Sequence, residues 1–150
     1  MTDFKFMGID LHSNRFNICI IFPDKRRLKL SFQLTRSDMS CFIEKYLDKM
    51  TYVIIEASTN TFKFAALIKD YAKDVLIANT HKLKLISLVK KKTDKIDAEK
   101  LAIFLKMHIL SNEELIKPVF IPKQIIQDLR SLFTTYKLTL KQKGQVMFIG

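Results

Sequence analysis

The spacing of hydrophobic and polar positions changes period repeatedly along the chain, and each change marks an element. Phe4 to His12 (FKFMGIDLH) is apolar on both faces, which predicts a central strand, with Asp10 near its end. Ser13-Asn14 supplies a turn, Phe16 to Phe22 (FNICIIF) a second strand, and Pro23-Asp24-Lys25 a second turn. Leu28, Leu30, Phe32 and Leu34 then alternate with polar residues, the mark of a strand with one wet face. The first 34 residues therefore predict a three-stranded meander.

Ser37-Asp38 reads as a capping pair, after which Met39, Phe42, Ile43, Tyr46, Leu47 and Met50 recur at helical spacing. Tyr52 to Glu56 is a short β-branched run that ends on a carboxylate. Phe62 to Tyr71 predicts a helix capped by Thr59 or Asn60, and Val75 to Ala78 another apolar strand. A final helix of this unit runs to about Leu110, with Ala98, Leu101, Ala102, Leu105 and Ile109 as its buried stripe. The order is βββ-α-β-α-β-α, an α/β domain over residues 1–117. Pro118 and Pro122 fix an extended segment, and residues 118–150 continue into a helix over 123–143. Ile126, Leu129, Phe133, Tyr136 and Leu140 give that helix a heptad seam, which suits either packing on its own domain or a homo-oligomer.

Composition narrows the class. A chain of 150 residues with 48% hydrophobic residues, 3 Gly and 3 Pro is long enough for an ordered core without disulfides. Cys19 and Cys41 lie far apart in apolar settings, which predicts buried free thiols. No apolar run approaches a membrane span and no signal-peptide block opens the chain, so a cytoplasmic protein is expected. The net charge of +11 points to a polyanionic partner. The basic residues concentrate before the last helix, where Lys82, Lys84, Lys90, Lys91 and Lys92 occur between residues 79 and 92 without one acid.

That basic connector runs into Asp94 and Asp97. Asp94 suits an N-cap, with Thr93 as an alternative cap, and Asp97 would follow in the first helical turn, both aspartates on the side of Leu101. Asp10 and Glu56, each at the end of a buried strand, belong at the same sheet edge, where ligands of α/β proteins collect. Four converging carboxylates would repel one another unless divalent cations neutralise them, and Mg2+ or Mn2+ suits hard oxygen ligands beside a phosphate substrate. Each acid singly has a plainer reading, as a cap or a partner for a surface lysine. Lys84, Lys90, Lys91, Lys92 and Lys95 then read as phosphate contacts or as a solvated run. His12, Ser58 and Thr59 are weaker candidates for substrate contact, and His81 and His108 show no ligand spacing.

Gly8-Ile9-Asp10-Leu11-His12, Ile55-Glu56-Ala57-Ser58 and Lys92-Thr93-Asp94-Lys95-Ile96-Asp97-Ala98-Glu99-Lys100-Leu101-Ala102 resemble the three motif blocks of the DEDD transposases. These are the enzymes of the one-hundred-and-ten family of bacterial insertion sequences, with Piv-type DNA invertases as relatives. Phe120-Ile121-Pro122, followed by Asp128-Leu129-Arg130, is similar to the family's continuation. The resemblance implies a ribonuclease-H-like, RuvC-like fold whose tetrad, here Asp10, Glu56, Asp94 and Asp97, is catalytic and binds magnesium. It implies DNA as the partner, recombination at insertion-sequence ends, a guide RNA in some members, and a nucleoid-associated bacterial protein.

In that family a second, serine-bearing domain follows, and this chain ends at Gly150 before one, so a truncated form incomplete by itself is expected. Two rivals stay open. A single-domain nuclease resembling Holliday-junction resolvases would need no second domain, and a non-catalytic nucleic-acid-binding remnant would need no metal.

Overall fold

The computed structural model describes residues 3–79 and 96–111. The basic connector, with Asp94 and all five lysines named as phosphate contacts, lies outside the described residues, as do the proline segment and the helix expected over 123–143. Within the described residues the chain runs β1 (Lys5–Leu11), β2 (Arg15–Ile21), β3 (Arg27–Gln33), α1 (Arg36–Tyr46), β4 (Thr51–Glu56), α2 (Thr61–Ile68), a 3-10 turn (Lys69–Tyr71), β5 (Asp74–Ala78) and α3 (Ala98–Leu110). This is the element order that the hydrophobic pattern predicts.

The five strands form one mixed sheet in the order β3-β2-β1-β4-β5. The meander pairs antiparallel, and β4 and β5 add in parallel on the other side of β1. β1 is thus central and buried on both faces, which is why its sequence is apolar at consecutive positions. β3 is an edge strand, and its polar alternation leaves one row of side chains to solvent.

Odd and even residues of each strand divide between two cores. Met7, Ile9, Phe16, Ile18, Val53, Ile55 and Ile77 pack with Met39 and Phe42 of α1 and Phe64, Ala65 and Ile68 of α2. The Phe16 ring, fully buried, meets Phe42 and Phe64 edge-on at 5.0 Å each and thereby ties both helices to the sheet. Aromatic pairs of this geometry add about 0.5–1.5 kcal/mol beyond the area they bury. On the opposite face Phe6, Cys19, Ile21, Ile54 and Leu76 pack against Ile96, Ala98, Leu101, Ala102, Phe104 and Leu105. The domain is therefore three layers, with α3 alone covering the second face among the described residues.

Several boundaries differ from the expectation. α1 starts one turn earlier, because the Thr35 side chain takes the cap and accepts from the Asp38 N–H at 3.3 Å. Asp38 turns instead to the Gln33 N–H at 2.7 Å. α1 also ends at Tyr46, so Met50 lies in the following turn and is 41% exposed. α2 stops at Ile68 and tightens into the 3-10 turn, and Asn60 occupies its N-cap position without a side-chain cap bond. In α3 Phe104 joins the buried stripe while Ile109 is only partly buried, because the face against the sheet is wider than a single heptad line. Cys19 is buried and Cys41 half-buried, and both are free.

Candidate functional site

One row of polar residues crosses the sheet at the carboxyl end of β1. Asp10 stands opposite Asn17 of β2, and Asn17 opposite Ser31 of β3. The parallel register of β1 and β4, which pairs Gly8 with Ile54 and Ile9 with Ile55, carries Glu56 to the level of Asp10. Side chains alternate in a strand, so Asp10 and Glu56 share the face of Gly8 and Ile54, which is the face covered by α3. The two strand-end acids thus sit on neighbouring strands, at one level and on one side. Asp10 is buried, at 8% exposure, and Glu56 half-buried.

The helix arrives close to this row because residue 8 is glycine. A Cβ at Gly8 would stand 2.1 Å from the Ala98 carbonyl oxygen, 2.7 Å from the Ala102 nitrogen and 2.9 Å from the Leu101 Cβ. Any side chain would push the helix start off the sheet. With glycine there, the first turn of α3 lies directly on β1 and its N-cap stands beside Asp10. That cap is Asp97, whose backbone is extended and whose Oδ1 accepts the Lys100 N–H at 2.9 Å. The helix therefore begins after Asp97, which is its N-cap and not a residue of its first turn as the sequence suggested, while Asp94 lies outside the described residues. The Asp97 carboxylate can cap with one oxygen and still present the other, as a carboxylate has lone pairs on both.

Asp10 and Asp97 line a common cleft of about 390 Å³ between α3 and the meander, together with Asn17, Cys19, Lys29, Ser31, Ala98 and Glu99. Glu56 is not among its lining residues. His12, two residues past Asp10 on the same face, lies with Nε2 at 3.0 Å from Asp10 Oδ2. The Ser31 hydroxyl donates to Asn17 Oδ1 at 2.6 Å, closing the row on the β3 side. Glu99 turns outward to β3, with Oε2 at 2.7 Å from Lys29 Nζ and Oε1 at 3.3 Å from Arg27 Nη1. Burial first, and then the Glu99 charge, push the Cys19 thiol above its ordinary range, so it stays protonated at the foot of the cleft.

Behind Glu56 the turn into α2 is held by one buried hydroxyl. Thr61, with no exposed surface, donates to the Glu56 carbonyl at 2.7 Å and accepts from the Ser58 N–H at 3.0 Å. Ser58 Oγ lies 2.8 Å from the same oxygen, so Ser58 serves the turn. The sequence reading did not single out Asn17, Arg27, Lys29, Ser31 or Glu99. The available signal was the polar alternation of β3, which puts Arg27, Lys29 and Ser31 on one face, though alternation alone names no partner for them.

Three of the four expected acids are described, and their hard oxygen donors match the ligand preference of Mg2+ or Mn2+. Among the described residues, however, no group of three or more His, Cys, Asp or Glu side chains stands close enough together to hold a metal ion. Asp94 lies outside them. No helix among the described residues is long and apolar enough to cross a membrane.

A mixed five-stranded sheet with helices on both faces defines an α/β protein, and its strand order, with Asp10 near the carboxyl end of the central strand, is consistent with the ribonuclease-H-like class. The family model for DEDD transposases of the IS110 type, described as transposase, matches residues 7–145. The chain belongs to that transposase family. A comparison with curated proteins returned no match.

Proposed function

We propose that this chain is the metal-binding catalytic part of a DNA transposase, acting on phosphodiester bonds at the ends of an insertion sequence. The observation that carries the reading is the placement of Asp10 and Glu56 at one level on neighbouring parallel strands, facing the helix whose N-cap, Asp97, shares a cleft with Asp10. Asp10, Glu56, Asp94 and Asp97 are the ligands in this reading, for Mg2+ or Mn2+. Bound there, divalent ions would supply activation of an attacking oxygen and stabilisation of the leaving one at the phosphodiester.

The chain's own residues do the rest. His12 fixes the orientation of the Asp10 carboxylate through its 3.0 Å contact, and Thr61 fixes the backbone that presents Glu56. Lys84, Lys90, Lys91, Lys92 and Lys95 hold the phosphates of DNA, or of a guide RNA, beside the acids. Residues 1–117 form the RuvC-like catalytic unit, and 118–150 an extended segment and a helix whose heptad seam pairs two copies. The protein works in the bacterial cytoplasm, on the nucleoid.

Thermal melting with and without Mg2+ or Mn2+ tests the metal site. The ions raise the melting temperature of the wild type, and Asp10→Asn and Asp97→Asn remove the rise; a wild-type curve indifferent to both ions refutes the assignment. DNA binding should weaken steeply as salt rises, since phosphate contacts release counterions. Cleavage of a four-way DNA junction by the chain alone would instead favour the resolvase-like reading.

A further inference from the structure

The edge strand β3, which walls the cleft opposite α3, carries two cations that the acid tetrad leaves without a role, one lining the cleft and one beside it. Arg27 and Lys29 stand two residues apart on the edge strand β3, on the face that continues through Ser31 and Asn17 to Asp10. Lys29 lines the same cleft as Asp10 and Asp97. Both cations converge on the two oxygens of one carboxylate, Glu99, in the first turn of α3. The Lys29 and Arg27 side chains are 65% and 46% exposed, and Glu99 is 29% exposed.

A carboxylate held by a guanidinium on one oxygen and an ammonium on the other offers these cations what a phosphodiester would: two acceptor oxygens sharing one negative charge. Ion pairs this exposed are weak and exchange readily. Two positive charges meet one negative charge, so the trio keeps an unbalanced positive charge next to a site lined by acids.

Resting on the reading of the cleft as a phosphodiester site, we propose that Arg27 and Lys29 form a second phosphate contact, on the β3 wall of that cleft. Glu99 occupies it in the free protein, and the backbone of a DNA strand passing Asp10 and Asp97 displaces Glu99 from it. Glu99 acts as a phosphate mimic that lowers affinity for polyanions until a strand is seated in the cleft.

The test is fluorescence anisotropy of a duplex DNA oligonucleotide titrated with the full chain over a series of KCl concentrations, in EDTA so that no metal contributes. Glu99→Gln tightens binding several-fold at low salt, because the strand no longer has to displace a carboxylate, and leaves the slope of log K against log salt close to that of the wild type, since the same phosphates are contacted in both. Lys29→Gln in the Glu99→Gln background removes most of that gain. Equal or weaker binding by a Glu99→Gln protein with wild-type circular dichroism overturns the proposal.

Should Glu99→Gln fail to fold, Lys29→Glu decides: reversing this charge weakens binding and flattens the salt slope, and unchanged binding again overturns the proposal. The Mg2+ effect on melting, read separately in the wild type, reports on the acid site alone. The two readings can therefore fail independently.

Discussion

At the scale of single residues, two positions set the geometry of the site for different reasons. Gly8 is required by packing, since the helix backbone occupies the space of a Cβ. Gly8→Ala should destabilise the domain by about 1–3 kcal/mol through overpacking, and a mere few tenths in urea denaturation would show that α3 can move away at little cost. Asp97 has two separable roles, as a helix cap and as a proposed ligand. Asn caps as well as Asp, so Asp97→Asn should leave urea stability nearly unchanged while removing the Mg2+ effect on melting. Asp97→Ala should cost about 1 kcal/mol in addition, because the Lys100 N–H loses its acceptor. Equal stability of the Asn and Ala variants would count against the cap.

Among the elements, the β4–α2 turn is held by different forces from the strand it follows. β4 is specified by burial on both faces, but where its last residue points depends on the turn, and the turn depends on Thr61. Thr61→Val keeps the shape and removes the hydroxyl, leaving the Glu56 carbonyl and the Ser58 N–H without this partner. We expect a loss of about 1–3 kcal/mol in chemical denaturation and a smaller Mg2+ effect on melting. A stable protein with an undiminished metal response would show that the turn holds Glu56 without this hydroxyl.

In the molecule as a whole, the junction of α1, β1 and β4 carries a pH dependence. Asp48 accepts from Lys5 Nζ, from the Met50 N–H at 2.9 Å and from the Thr51 hydroxyl at 2.8 Å. Burial opposes its ionisation, but these donors outweigh burial and hold its carboxyl below the usual range. A carboxyl with a lowered pKa in the fold stabilises above its unfolded pKa of about 3.9, and that stabilisation is lost as pH falls through the folded value. Asp48→Asn should therefore be less stable than the wild type at neutral pH, with the gap closing below about pH 4. A gap of equal size at pH 7 and pH 3 in urea denaturation would contradict this linkage.

Much of this protein was legible from periodicity because burial imposes it directly. The double-faced apolar run of β1, the alternation of β3 and the stripe of α3 each follow from what the element packs against, so element order was recoverable, and the acids at the ends of β1 and β4 could be picked out. The motif blocks pointed to the transposase family for the same residues.

Cap choice was not legible, since Thr35, Ser37 and Asp38 are all good caps and only the approach of Gln33 decides among them. Nor was the β3 wall, because Arg27 and Lys29 lie about 70 residues from Glu99 in the chain and meet it only when α3 closes on the sheet. The sequence by itself determined which residues could be strands, helices and ligands, through local pattern and chemistry. The tertiary structure alone decided which of them face each other, because register across the sheet and the bare space at Gly8 set the level at which Asp10, Glu56 and Asp97 arrive.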